Sequence, residues 1–285
     1  MYAYVTVETL KSSGGLNIPN GTGADVRLRQ LAEAVTQEFD RVLHRRIHPS
    51  VGTMYYSGDG STLLLTDDLV AISSLKEDNT DDGTFDTTWA AADYNYLPYN
   101  VDPTSDVGRP YHGLEVNPKS NGNQDAFLQG RRNYQITGTW GWSSVTVTAD
   151  AVCSANVTVG DVTLDIGTVN SATKIETGMV LSVNSEQMYV ESLVGSSTGT
   201  SVRVSRAANG STAGSHGSGD AINYYTHPSP IREGAFVQTA RLWKRKDSGF
   251  SSEVGFPETG QITTFRGTMD ADVKMLIGPY MKRTR

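Results

Sequence analysis

The residues best suited to bind a metal ion lie in two short stretches. Asp78 to Gly83 resembles the opening of an EF-hand calcium loop, but its twelfth position, which needs a bidentate Glu, is Trp89. His44 and His48 have a spacing that can place two ligands on one helix face, but Pro49 follows directly and no third ligand is evident. We therefore interpret the first stretch as an exposed acidic turn and the histidines as part of a helix end, and we expect no metal site.

Patterns typical of catalysis are weak throughout the sequence. The glycine-containing stretches Gly58–Ser61 and Asn209–Ser211 lack the lysine and the strand-to-helix context of a phosphate-binding loop. Glu186 and Glu191 could form a carboxylate pair across a sheet, and the single cysteine, Cys153, is interpreted as a buried structural thiol. Three further histidines each stand alone: His112, His216 and His227. We therefore expect no catalytic residues, no cofactor and no enzymatic activity.

Two groups of basic residues are candidates for contact with a partner. Arg241, Lys244, Arg245 and Lys246 form a cluster that could contact DNA, a neighbouring subunit or an acidic partner. The same cluster could instead be a solvated helix end that opposes the negative end of the helix dipole. The second group lies in the C-terminal tail, which is either a docking peptide or disordered in the free monomer. Its residues are Tyr280, Met281, Lys282, Arg283, Thr284 and Arg285.

The composition favours a β-rich, turn-rich protein. Of the 285 residues, 37% are hydrophobic and 19% are charged, and there are 29 glycines. A formal net charge of -7 argues against a protein that binds nucleic-acid phosphates over a wide surface. It is compatible with a ring whose acidic channel lets DNA pass through. No stretch approaches the roughly 18 apolar residues of a membrane span. The N-terminus lacks a signal-peptide pattern, so we expect synthesis inside the cell.

The spacing of apolar residues predicts two long helices that pack against each other. One spans Asp25 to Arg46 and the other spans Pro230 to Lys246, with proline at its first position. A shorter helix is predicted within Met269 to Arg283, where Asp270 or Thr268 can act as the N-cap. The apolar face of the first helix consists of Leu28, Leu31, Val35, Phe39 and Val42.

Between the long helices the period of apolar residues changes to two. Met54–Tyr56 and Leu63–Leu65 flank a turn-rich link, which predicts a β-hairpin. Asp150 to Tyr225 is rich in Val, Thr, Ser and Gly and predicts a β-barrel or β-sandwich. The predicted fold class is therefore α+β. We expect a small helical core with β-hairpins, residues 1–148 and 228–285, and an inserted all-β domain, residues 149–227.

Several stretches resemble the head–tail connector (adaptor) proteins of tailed DNA bacteriophages. Three stretches resemble the central part of that family: Tyr55 to Ser61, Leu69 to Leu75 and Asp78 to Tyr94. Ile136 to Trp142 resembles the strand before its second long helix. Ala240 to Phe250 is similar to the family's helix end, and Asp270 to Tyr280 is similar to its closing helix. Gly178 to Val190 and Val204 to His216 are similar to a small β-module of several phage virion proteins, which compact adaptors lack.

The resemblance implies a phage adaptor-like core and a structural role in the virion. Members form a dodecameric ring beneath the portal, and DNA passes through the lumen during genome ejection without specific binding. The family's portal-docking segment corresponds to Tyr280 to Arg285. The implied partners are copies of this chain, the portal protein and the next neck or tail protein, without a membrane.

The implied location is the neck of the virion, and the host cytoplasm during assembly. Two alternatives stay open. The chain could be another neck or tail-completion protein, or it could be a binding protein of the virion surface that uses the β-module.

Overall fold

A computed structural model describes residues 1–12, 18, 21–105, 108–120, 124–168, 175–194, 201–248, 253–256, 261–264 and 269–282. The chain divides into two compact units. The helix–barrel unit comprises Met1–His44, Val147–Ala208 and Thr212–Arg285. The sheet unit comprises Arg45–Thr146 and Asn209–Ser211. Buried apolar side chains form separate clusters in the barrel and in the sheet.

The predicted fold class, α+β with a small helical core, is wrong. Among the described residues, 34% lie in strands and 25% lie in helices, and only 3 helices have 7 or more residues. The fold is mostly β, with antiparallel sheets and a closed barrel of 6 strands. The physical reason is that the strands bury their own apolar residues, so they are not hairpins that depend on a helical core.

The sheet unit contains antiparallel strands that join distant parts of the chain. They are β1 (Ser50–Tyr56), β2 (Leu63–Glu77), β3 (Thr87–Trp89), β4 (Tyr94–Leu97), β5 (Tyr111–Val116) and β6 (Tyr134–Trp140). Their order is β1-β6-β2-β5-β4, and β3 pairs with β2. The predicted hairpin between Met54–Tyr56 and Leu63–Leu65 is wrong, because Met54 pairs with Ile136 and Leu64 pairs with Leu114.

One face of this sheet packs around an aromatic core. Along β6, alternate residues from Tyr134 to Trp140 are buried, as expected for a strand with one covered face. The rings of Trp89 and Phe127 stack with 4.7 Å between their centroids. The buried Glu77 carboxylate accepts hydrogen bonds from Trp89 Nε1 at 3.0 Å and from the Tyr134 hydroxyl at 2.5 Å. Those two donors offset the cost of burying a carboxylate.

The barrel closes through strands that follow one another in the middle of the chain. They are β7 (Thr146–Cys153), β8 (Thr163–Thr168), β9 (Val180–Val183), β10 (Glu186–Leu193), β11 (Ser201–Ser205) and β12 (Ala221–Tyr225). Around the barrel the order is β10-β11-β8-β7-β12-β9. Closure leaves no strand edge unpaired, and Leu164, Met188 and Ile222 fill the interior. The strand-rich character predicted for Asp150 to Tyr225 agrees with this barrel, whereas the domain boundaries at 149 and 227 stay a prediction.

The helices are α1 (Val7–Ser12), α2 (Asp25–Leu43), α3 (Ser229–Lys244) and α4 (Ala271–Ile277). The two predicted long helices are confirmed as α2 and α3. The first ends before Arg46 because His44 adopts a left-handed backbone conformation with φ 53. Helices α2 and α4 both approach α3 at Gly234, where an added Cβ would lie 3.3 Å from Phe39 Cε2 and 3.2 Å from Ile277 Cγ2. None of the helices in the described part of the chain is long and apolar enough to cross a membrane.

Hydrogen bonds connect the helices to the barrel inside the helix–barrel unit. The Tyr189 hydroxyl donates to Glu33 Oε1 at 2.7 Å. The backbone N–H of Thr177 donates to Glu8 Oε2, also at 2.7 Å. Barrel and helices therefore share polar contacts, although the barrel has its own apolar interior.

Further along the chain, β13 (Glu253–Phe256) and β14 (Gln261–Thr264) pair as a two-stranded antiparallel sheet.

Candidate functional site

The predicted basic cluster lies at the C-terminal end of α3. Arg241 Nη1 donates a hydrogen bond to Asp270 Oδ2 at 2.5 Å. The Lys246 ammonium lies 3.9 Å from the centroid of the Trp243 ring, within range of a cation–π interaction. Lys244 and Lys246 are exposed. The cluster therefore combines intramolecular contacts with exposed positive charge at the negative end of the helix dipole.

Asp270 joins the end of α3 to the start of α4. Its Oδ1 accepts a hydrogen bond from the backbone N–H of Asp272 at 3.0 Å, so Asp270 caps α4 as predicted. Its Oδ2 accepts the hydrogen bond from Arg241. One carboxylate therefore supplies both the cap of α4 and an ion pair with α3.

We expect Asp270→Ala to lower the free energy of unfolding by about 1 to 2 kcal/mol, because it removes the cap and a half-exposed ion pair. Asp270→Asn is the matched control, since its amide oxygen can still cap α4. The control should lose only the ion pair, which is about 1 kcal/mol or less. Denaturant unfolding measures both values. Equal losses for the two variants would show that the cap contributes nothing.

The tail begins in a fixed position next to the end of α2. After α4 the chain forms a 3-10 turn, Gly278–Tyr280, and the backbone N–H of Lys282 donates to Leu43 O at 2.8 Å. Burial raises the pKa of the Tyr280 hydroxyl, which therefore stays neutral at physiological pH. The Met281 side chain is 45% exposed. The remaining tail residues of the prediction lie outside the described part of the chain: Arg283, Thr284 and Arg285.

His44 and His48, the possible metal pair, lie in different environments. His44 is exposed at the end of α2, as expected for a helix-end residue. His48 is fully buried, and its Nε2 lies 3.0 Å from Asn209 Nδ2. Among the described residues, no group of three or more His, Cys, Asp and Glu side chains is arranged to hold a metal ion.

The acidic stretch that resembles a calcium loop is a turn stabilised by one carboxylate. Asp78 accepts hydrogen bonds from the backbone N–H groups of Thr80 at 3.2 Å, Asp82 at 3.3 Å and Gly83 at 2.8 Å. Both Asp78 oxygens are therefore used to close the turn. Asp81, which follows Thr80, is exposed. The interpretation as an exposed acidic turn is confirmed for residues 79–83, whereas Asp78 itself is buried.

A network of titratable side chains in the barrel was not predicted. Arg206 donates from Nε and Nη2 to the two oxygens of Glu186, both at 2.7 Å. His216 Nε2 lies 2.8 Å from Glu186 Oε2, so the prediction that His216 stands alone is wrong. The backbone N–H groups of Ala207 and Gly214 also donate to Glu186, both at 3.0 Å. Because both carboxylate oxygens are occupied, the network holds the chain after β11 against the barrel.

The environment of Glu186 keeps it ionised. Burial alone would raise its pKa, but hydrogen bonds from Arg206, from two backbone N–H groups and from His216 lower the pKa to about 2. Glu191 forms separate contacts, with Arg203 and Ser205, and it does not share this site. The carboxylate pair that Glu186 and Glu191 could have formed is not present, since both residues lie on β10 and each carboxylate has its own partners.

The other two histidines and the cysteine also have defined surroundings. His112 Nδ1 lies 3.6 Å from Asp68 Oδ1. The ring of His227 meets the ring of Tyr4 edge-on, with 4.9 Å between centroids. The expectation that these two histidines stand alone is therefore wrong. Cys153 is fully buried, and burial raises the pKa of its thiol, which confirms the interpretation as a structural residue.

In comparisons with known proteins, the sequence matches no protein-family model and no curated protein. The function is therefore argued from the described geometry and from the resemblance of individual segments. Two surfaces remain as candidates for contact with a partner: the basic end of α3 and the tail after α4.

Proposed function

We propose that this protein is a structural component of a phage virion, a head–tail connector that forms a ring beneath the portal. One observation carries the proposal: the segment resembling the family's helix end and the segment resembling its closing helix contact each other through Arg241 and Asp270. One of these helices, α3, also contacts α2 at Gly234. The three helices therefore pack together, and this arrangement supports the proposal.

Complementary charges support contacts between neighbouring copies in such a ring. Lys244 and Lys246 are exposed at the end of α3, and Asp81, Asp82 and Asp86 are exposed in the acidic turn. A basic end on one copy can therefore face an acidic turn on the next copy. Contacts between two different patches repeat head-to-tail and close into a ring when the rotation allows it. DNA then passes through the lumen without sequence-specific contacts.

The tail is the proposed portal-docking segment. Its start is held in place, because the backbone N–H of Lys282 donates a hydrogen bond to Leu43 O. A short peptide binds weakly by itself, but many copies in one ring bind their partner together. Three of the six tail residues are Lys or Arg, and they suit an acidic groove between portal subunits.

Size-exclusion chromatography with light scattering tests the proposal. We expect the chain alone to be a monomer or a weak oligomer, and the chain with assembled portal to form a dodecameric ring on it. Reversing the tail charges (Lys282→Glu, Arg283→Glu and Arg285→Glu together) should abolish docking. The Lys282 backbone N–H still donates to Leu43 in this variant, so the native fold should be kept.

Asp272→Asn is the matched control, since it changes one exposed charge on α4 and leaves the tail intact. Its docking should equal that of the native chain. Failure of the native chain to assemble on the portal would contradict the proposal and leave the alternative of another neck or tail-completion protein. Docking that survives charge reversal would remove the tail from the interface.

A further inference from the structure

A cleft of about 680 Å³ lies in the helix–barrel unit, apart from both candidate docking surfaces. Its walls come from the N-terminal segment at Tyr4, from the barrel at Met179 and Tyr225, and from the first turns of α3 at Phe236. This volume falls within the range of pockets that bind small molecules, roughly 300 to 1,000 Å³. Most of the lining surface is apolar, as is typical of such pockets, and charged side chains also line the cleft: Arg232, Glu233 and Glu176.

The inner wall of the cleft is rigid and uncharged. The Tyr4 hydroxyl donates to Asp40 Oδ1 at 2.5 Å, and the backbone N–H of Tyr4 donates to Thr36 Oγ1 at 3.0 Å, so this ring is held from two sides. The His227 ring packs edge-on against it. Burial, together with the charge of Arg232, lowers the pKa of His227 to about 3, so this imidazole is neutral at physiological pH.

Arg232 supplies positive charge at the mouth of the cleft. Its side chain is exposed and donates to Ser229 Oγ at 3.3 Å. Among the described residues, no carboxylate forms an ion pair with it. Glu233, the next residue of α3, also lines the cleft, but side chains one position apart on a helix do not face each other. The Glu176 carboxylate, on the barrel side, accepts hydrogen bonds from the Thr6 and Thr9 hydroxyls.

We propose that this cleft binds a small apolar carboxylic acid. An aromatic or branched aliphatic group would lie between Tyr4, Tyr225 and Phe236, and the carboxylate would accept hydrogen bonds from the Arg232 guanidinium. The match is one of charge and shape. The walls offer apolar surface for the body of the ligand, and an arginine fork suits a planar carboxylate. A neutral ligand of the same shape forgoes the charge-assisted hydrogen bonds.

The test compares two probes that differ only in charge, N-acetyl-L-phenylalanine and its primary amide. Titrations followed by NMR would monitor the ring signals of His227 and Phe236. We expect the acid to bind at least about tenfold more tightly than the amide, since charge-assisted hydrogen bonds contribute this much or more. Arg232→Gln should abolish this preference while the thermal midpoint stays unchanged, because Arg232 is exposed.

Glu233→Gln is the matched control, because it removes a charge from the adjacent position of the same helix. The preference for the acid should persist or increase in this variant. Equal binding of acid and amide, no shift of either ring signal with the acid, or an unchanged preference in Arg232→Gln would each overturn the proposal. Phe236→Ala should weaken the binding of both probes. If the variant bound them as tightly as the native protein does, the probes would bind outside the cleft and the proposal would be overturned.

Discussion

Replacing Arg206 with alanine is expected to lower the free energy of unfolding by about 3 to 5 kcal/mol, because the Glu186 carboxylate would stay buried without its cation. Arg206 donates to both oxygens of Glu186 and also to the carbonyl oxygens of Thr158 and Gly214. The Glu186 side chain is only 1% exposed, so water cannot replace the lost partner without opening the barrel. Denaturant unfolding followed by near-UV circular dichroism measures the loss.

Arg203→Ala is the matched control for Arg206→Ala. Arg203 pairs with Glu191 at 3.2 Å, but its side chain is 60% exposed, so the variant should lose about 1 kcal/mol or less. If Arg206→Ala and Arg203→Ala lowered the free energy of unfolding by similar amounts, the buried network around Glu186 would not have the structural role described.

The difference between native protein and Arg206→Ala should also depend on pH. The pKa of Glu186 is lowered from 4.5 to about 2 in the folded state, so its contribution is complete above 4.5 and is lost as the pH falls toward 2. The two proteins should therefore converge in stability on acidification.

Gly138→Ala is also expected to be strongly destabilising and to lower the free energy of unfolding by about 3 kcal/mol or more. A Cβ at this position of β6 would lie 2.2 Å from Ala71 O and 3.2 Å from Ile72 Cα of the neighbouring strand β2. Both atoms belong to the backbone, so no side chain can rotate away and the central strand pair must separate. Overpacking of this kind costs about 1 to 3 kcal/mol, and more when the backbone has to move.

Gly52→Ala is the matched control, since Gly52 is the partner of Gly138 on β1. A Cβ at Gly52 meets nothing within 4 Å. We expect the free energy of unfolding to rise or fall by no more than about 0.5 kcal/mol, because alanine also restricts the unfolded chain. Thermal unfolding of the two variants gives the comparison. A mild effect of Gly138→Ala would show that β2 and β6 do not approach as closely as described.

The helices could be predicted from the sequence because their signals are local. Leu28, Leu31, Val35 and Phe39 are spaced three or four residues apart, and of these Leu28, Val35 and Phe39 are buried in α2. Asp270 caps α4 as its position predicts. The meeting of α2 and α3 also follows from their apolar faces. That three helices converge on Gly234 could not be predicted, since a glycine inside a helix gives no sign of what approaches it.

The sheet could not be derived in the same way because strand pairing is not local. Met54–Tyr56 and Leu63–Leu65 are neighbours in the sequence and look like a hairpin, but β6 forms its ladder with β1 and also pairs with β2. The period of apolar residues shows that strands exist but not which strands are partners. The predicted α+β class is wrong for this reason, because apolar periodicity alone favours local hairpins around a helical core over pairing between distant strands.

The same limit applies to the candidate sites. Glu186, Arg206 and His216 are brought together only by closure of the barrel, so their spacing in the sequence carries no signal. The cleft beside Arg232 likewise depends on the N-terminal segment packing near α3. By contrast, the basic cluster could be predicted from consecutive residues of one helix end, where it lies in the structure.

Whether a phage virion contains this protein at its neck is the most direct test of the proposed function. A cryo-electron microscopy reconstruction of the neck would be compared between virions that carry the native chain and virions with a tag fused at its N-terminus. We predict extra density for the tag around a dodecameric ring directly below the portal. Extra density on the capsid surface or at the distal part of the tail, with none at the neck, would contradict the assignment as a head–tail connector.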